Sequence, residues 1–173
     1  MAGKLNNKGL TLVELMIAMA IATIVIGSIT YFMATSIKSY RKANDEITLQ
    51  LEAQTILNQL NELIIEAYNV KMNEATDIIS IYRGDMTYFI KLENNKLLLN
   101  KKQAGLGIAT GDTWILFGEY ITTFDVKDTG SSNDNSSILI SFELNKNGAT
   151  YEVSNSLIVL RNKIKPIINE EES

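Results

Sequence analysis

From Leu15 to Ile37 the chain carries no charged residue: LMIAMAIATIVIGSITYFMATSI, 23 residues in a row. As an α-helix this run is about 34 Å long. That is enough to cross a hydrocarbon layer of about 30 Å. In lipid every backbone N–H and C=O must find its partner inside the segment, so the run must be helical. Its leading edge carries a carboxylate, Glu14, set behind Leu12 and Val13. A charge in such a segment is costly and marks a functional position.

Three kinds of segment share this length and composition. A secretory signal peptide has an apolar stretch of about 7–15 residues and a small-x-small cleavage site. The present run is longer, and Lys38-Ser39-Tyr40-Arg41-Lys42 follows it instead of such a site. A plain single-pass anchor fits the length but gives Glu14 no task. The third kind accounts for what lies upstream. A short leader, Met1 to Gly9, carries Lys4 and Lys8 and ends in glycine, and Leu10-Thr11-Leu12-Val13-Glu14-Leu15-Met16-Ile17-Ala18 follows.

This arrangement resembles the N-terminus of type IV pilins and of the pseudopilins of type II secretion. The resemblance implies that a membrane peptidase cuts after Gly9, and that Leu10 becomes the first mature residue and is N-methylated. Most such proteins have Phe at that place, so Leu10 is a mild departure. Glu14 then stands fifth in the mature chain, as the family's glutamate does. Cleavage would free an amino group near Glu14, at a helix end that already favours negative charge. The N-terminal amine of an adjacent subunit is the stronger partner in low dielectric. Lys4 and Lys8 favour a cytoplasmic N-terminus, although Lys38, Arg41 and Lys42 nearly balance them. The resemblance places the bulk of the chain outside the membrane.

The helical pattern continues beyond the apolar run. Leu49, Ala53, Ile56, Leu60, Leu63 and Ala67 recur at steps of four and three and mark one face, widened by Leu57 and Ile64. Glu52, Gln59, Glu62 and Glu66 lie opposite. The spacing predicts a single helix from about Thr11 to Val70. Past Asn73 the period becomes alternating. Strands are expected at Ile78–Tyr82, Tyr88–Leu92, Lys96–Leu99, Thr113–Phe117, Ile121–Val126, Ile138–Leu144 and Thr150–Leu160, six or seven in all. Glu93-Asn94-Asn95 and Asn145–Ala149 read as hairpin turns, the second because Asn-Gly tolerates positive φ.

The expected fold is α+β, a long N-terminal helix on an antiparallel sheet head. The organisation follows: leader 1–9, membrane and polymerisation helix 10–37, amphipathic helix 38–72, sheet head 73–162 and acidic tail 163–173. The C-terminal strand Leu157-Ile158-Val159-Leu160-Arg161-Asn162 is similar to the ends of minor pilins of the PilW kind and of J-type pseudopilins.

Chemistry in the head is sparse. The chain has neither His nor Cys, which removes the commonest general base, thiolate nucleophiles and disulfides. The Gly-rich stretch Ala104–Gly111 matches no phosphate-binding motif and is expected to be a mobile connector. The loop from Asp128 to Ser137 carries oxygen ligands, with Asp128 and Asp134 as the candidate calcium pair, but lacks the EF-hand order. A solvated turn-rich loop is the plainer reading. No metal, cofactor or enzymatic activity is expected. The net charge of −4 and the lack of a basic, aromatic-interleaved patch give no sign of nucleic-acid binding.

The resemblance therefore implies a structural subunit of a type IV pilus or a related pseudopilus, near the tip. A single-pass protein of the cytoplasmic membrane would become part of an extracellular filament. Its implied partners are other pilins, the prepilin peptidase, the inner-membrane assembly platform and the membrane. Pilus, secretion pseudopilus and competence pilus all stay open. The alternative is a membrane-anchored binding module that never polymerises.

Overall fold

The computed structural model describes residues 11–73, 76–129 and 137–161. One helix, α1 (Leu12–Ile65), precedes eight strands among these residues. They are β1 (Asn69–Asn73), β2 (Ile78–Arg83), β3 (Met86–Glu93), β4 (Lys96–Gln103), β5 (Ile115–Glu119), β6 (Ile121–Asp128), β7 (Ser137–Lys146) and β8 (Ala149–Val159). The first five form a sheet in sequence order, the last three form another, and every pair is antiparallel. The α+β expectation holds, with two sheets.

Two compact units divide the chain, Met1–Ala43 and Asn44–Ser173. The described part of the first is helix, exposed along nearly its whole length. The helix is long and apolar enough to cross a membrane. The second unit holds the core. Leu49, Ala53, Ile56, Leu60 and Ile64 of α1 are buried together with Ile79, Ile81, Ile90 and Leu97 of the first sheet and Ile140, Phe142 and Leu144 of the second. The helix rows are those expected, with Ile64 replacing the half-buried Leu63. Burying each such Leu or Ile contributes about 1.5–3 kcal/mol.

The helix ends earlier than its periodicity predicts. Ala67 is buried but lies beyond α1, and Asn69–Asn73 pairs with β2. No basic residue offsets the dipole in the last turn. The chain instead turns at once into the sheet, where the Tyr68 N–H donates to the Tyr82 carbonyl at 2.9 Å. Glu52, expected to face solvent, is half-buried, and its carboxylate accepts the Glu119 N–H at 2.8 Å.

Both predicted turns form. Asn94 and Asn95 have φ of 54° and 59°, and Asn147 and Gly148 have 52° and 84°, the left-handed pairs that tight hairpins require. The second turn is fastened to the helix. Asp45 accepts from Asn147 Nδ2 at 3.1 Å and pairs with Lys146 at 3.5 Å.

The Gly-rich stretch is no free connector. Lys102 Nζ stands 2.6 Å from Asp112 and donates to the Gly107 carbonyl at 2.8 Å. Asn100 Nδ2 donates to the Thr113 carbonyl at 2.7 Å. The Lys102 ammonium, and then the Ala109 N–H, hold the Asp112 carboxyl below the usual carboxylate range.

Candidate functional site

The N-terminus of α1 is built from four consecutive residues. Thr11 precedes the first helical residue, Leu12, and Glu14 stands in the first turn. Their side chains close on each other's backbone. Glu14 Oε2 accepts from the Thr11 N–H and from the Thr11 hydroxyl, each at 2.9 Å. The Glu14 N–H donates back to Thr11 Oγ1 at 3.3 Å. This reciprocal pattern is a capping box, which satisfies two N–H groups that a helix start leaves without partners. Its signature, Thr-x-x-Glu, is present in the sequence. Treating Glu14 as an intramembrane charge alone misses it.

The cap engages one carboxylate oxygen. Among the described residues Glu14 Oε1 accepts no hydrogen bond, so it is available to a further donor. The carboxylate also lies where the helix presents its positive end. Gly9 and Leu10, the expected cleavage pair, lie outside the described residues.

The segment that follows is chemically suited to an apolar surrounding. Hydroxyls inside it turn back onto their own helix. Thr23 donates to the Ala20 carbonyl at 2.8 Å, Ser28 to Ile24 at 2.8 Å, Thr30 to Ile26 at 2.9 Å and Thr35 to Tyr31 at 3.0 Å. No hydroxyl of this set needs water, which meets the demand that hydrocarbon makes on polar groups. Leu12, Met16, Ile24, Ile26 and Phe32 are exposed along it. An apolar surface of this extent on one helix marks a site for lipid or for another protein.

Metal-ligating side chains do not cluster among the described residues. No group of three or more His, Cys, Asp or Glu residues stands close enough to hold a metal. Of the calcium candidates, Asp128 ends β6 and Asp134 lies outside the described residues. The acidic tail from Lys163 also lies outside them.

Residues 4–30 match a family model described as the prokaryotic N-terminal methylation motif. They carry a type IV pilin-like prepilin signal, and such a motif implies processing by a prepilin peptidase and association with pilins. No curated protein and no solved structure matches this chain. The match runs from Lys4 to Thr30, takes in Glu14 and most of the apolar run, and leaves the sheets outside it.

Proposed function

We propose that this chain is a structural subunit of a type IV pilus or a related secretion pseudopilus. The observation that carries this reading is the coincidence of the methylation motif at residues 4–30 with a helix start built around Glu14. A prepilin peptidase removes Met1–Gly9 and methylates Leu10. The mature helix then starts two residues after its own N-terminus, at Leu12, and because Thr11 keeps its N–H after cleavage the capping box survives.

Glu14 holds the helix start through Oε2 and offers Oε1 to the N-terminal amine of a neighbouring subunit. Before assembly the subunit is a single-pass protein of the cytoplasmic membrane, and afterwards it is part of an extracellular filament. Its partners are other pilins, the peptidase and the inner-membrane assembly platform. The finer reading, a minor subunit near the tip, rests on the resemblance of the sequence Leu157–Asn162 to the ends of minor pilins of the PilW kind and of J-type pseudopilins.

The test is mass spectrometry of the mature N-terminus from a host that has the peptidase, followed by filament incorporation. Expected are loss of Met1–Gly9 and one methyl group on Leu10. An intact leader overturns the reading in favour of an anchored module that does not polymerise. Glu14→Gln refines it. Gln supports a capping box as Glu does, but it carries no charge. Processed Glu14→Gln protein should remain in the membrane and fail to enter filaments. Normal incorporation would eliminate the intersubunit pair.

A further inference from the structure

The helix-side face of the first sheet changes character past the end of α1. Along β2 that face presents Ile79, Ile81 and then Arg83, since alternate residues share a side. Across the register, Ile90 lies opposite Ile79, and Tyr88 lies opposite both Ile81 and Lys101. Apolar residues thus give way to a cationic and aromatic end just where the helix stops. A cavity of about 670 Å³ opens there, lined by Ile65, Glu66, Arg83, Gly84, Tyr88 and Arg161. That volume lies within the range of small-ligand sites.

We propose that this cavity is a carboxylate-binding site of the head. Two guanidinium groups line it, and Lys101 Nζ stands 5.5 Å from the centre of the Tyr88 ring. Two cations therefore share the lining with one carboxylate, Glu66, and a third stands beside Tyr88, in a chain whose net charge is −4. The fold positions the Arg161 backbone and the Arg83 guanidinium. The Arg161 N–H donates to the Ile65 carbonyl at 2.9 Å, which sets Arg161 at the helix end. Arg83 is held through Nη2 by Glu66 Oε2. A guanidinium has five N–H donors, so this ion pair orients Arg83 and leaves most of its donors for a ligand. Among the described residues the Arg161 side chain has no ion pair or hydrogen bond.

The presence of Glu66 selects the ligand class. A carboxylate brings one negative charge to a site where cations exceed Glu66. With two guanidiniums against Glu66 the lining carries a net charge of about +1, which one carboxylate neutralises and a phosphate, bringing close to two negative charges, exceeds. Planar carboxylates also match the guanidinium fork. The ligand can come as an acidic side chain of a peptide segment or as a free organic acid, and the two sources are separable by experiment.

The full chain in nonionic micelles, labelled with nitrogen-15, is titrated with three probes: a blocked triglutamate peptide, propionate and inorganic phosphate. Saturable movement of the Gly84 amide signal is expected for a carboxylate probe below about 10 mM. Tighter binding of the peptide than of propionate assigns the site to acidic peptide segments, and equal binding assigns it to free acids. Arg161→Gln should weaken binding about tenfold, the loss of one charge-assisted contact. Lys127→Gln removes the same charge from the outer face of β6 and should change nothing. Arg83→Gln should match Arg161→Gln, and if it unfolds, the exposed Arg161 still decides. No saturation with either carboxylate, tighter binding of phosphate, or an equal loss in Lys127→Gln overturns the proposal.

Discussion

Gly118 of β5 packs directly against Ile56 of α1, and a single methyl group there tests the packing of the head. A Cβ built on Gly118 would stand 2.6 Å from Ile56 Cδ1, 2.8 Å from Ile56 Cγ1 and 3.1 Å from Ile121 Cδ1. Carbon atoms pack at about 3.5–4.0 Å, so Ile56 would have to retreat by roughly 0.7–0.9 Å. It has no room, because Ile56 and Ile121 are both 0% exposed in a close-packed core. Overpacking of this kind costs about 1–3 kcal/mol. The φ of Gly118 is not in the left-handed region, so alanine also gains about 0.4–1 kcal/mol from its stiffer unfolded chain. The clash outweighs that gain. Gly118→Ala should lose about 1–2 kcal/mol, a fall in Tm of about 3–8 °C. The assay is thermal unfolding of the full chain in nonionic micelles, followed by the emission of Trp114, the single tryptophan. Ile56→Ala removes both offending atoms and alone costs about 2–5 kcal/mol. In the double variant the clash is gone, so the losses should fall short of additivity by about 1–3 kcal/mol. An unchanged Tm in Gly118→Ala, or strict additivity in the double variant, would refute the reasoning.

Thr11→Val removes the cap hydroxyl while keeping the shape. It should cost the helix start about 1 kcal/mol, read as faster amide exchange over Leu12–Leu15 with exchange at Leu60 unchanged. Asp112 has a folded-state pKa depressed by Lys102, so its contribution is complete above the ordinary carboxylate pKa and disappears as pH falls through the depressed value. Protease cleavage within Ala104–Gly111 should therefore rise at acid pH, and Asp112→Asn should show the raised cleavage already at neutral pH. Asp45→Ala frees the β7–β8 turn from the helix and should cost about 1 kcal/mol in unfolding, with the Gly148 amide losing protection first.

What the sequence showed, and what it hid, divides by the range of the interactions. Asn94-Asn95 and Asn147-Gly148 were legible because a left-handed turn is set by the residues within it. The helix face of Leu49, Ala53, Ile56 and Leu60 was legible because its period is local. The end of α1 was not, since Ala67 continues the apolar rhythm and neither Gly nor Pro interrupts. What stops the helix is pairing with β2 through Tyr68 and Asn69–Asn73. Glu52 looked solvated because its partner, the Glu119 N–H, is 67 residues away in sequence. Ala104–Gly111 read as mobile from its glycines alone, while Lys102 and Asp112 lie ten positions apart with no local signature. The capping box, by contrast, was fully local and was available from the Thr11–Glu14 spacing.

That cap bears directly on how much Glu14 reveals. A carboxylate at the edge of an apolar run is not by itself a sign of a partner, since a helix start can use it at home. The magnitudes separate the two roles. A cap contributes about 0.5–2 kcal/mol, and glutamine supplies it without charge. An ionised side chain within a bilayer costs several kcal/mol, most at the centre and less toward the interface. Capping alone would thus favour Gln at position 14. The charge is surplus to the cap, and a cation in the same low-dielectric layer would make it favourable. Under the function proposed above, cleavage after Gly9 would give each neighbouring subunit such a cation at Leu10.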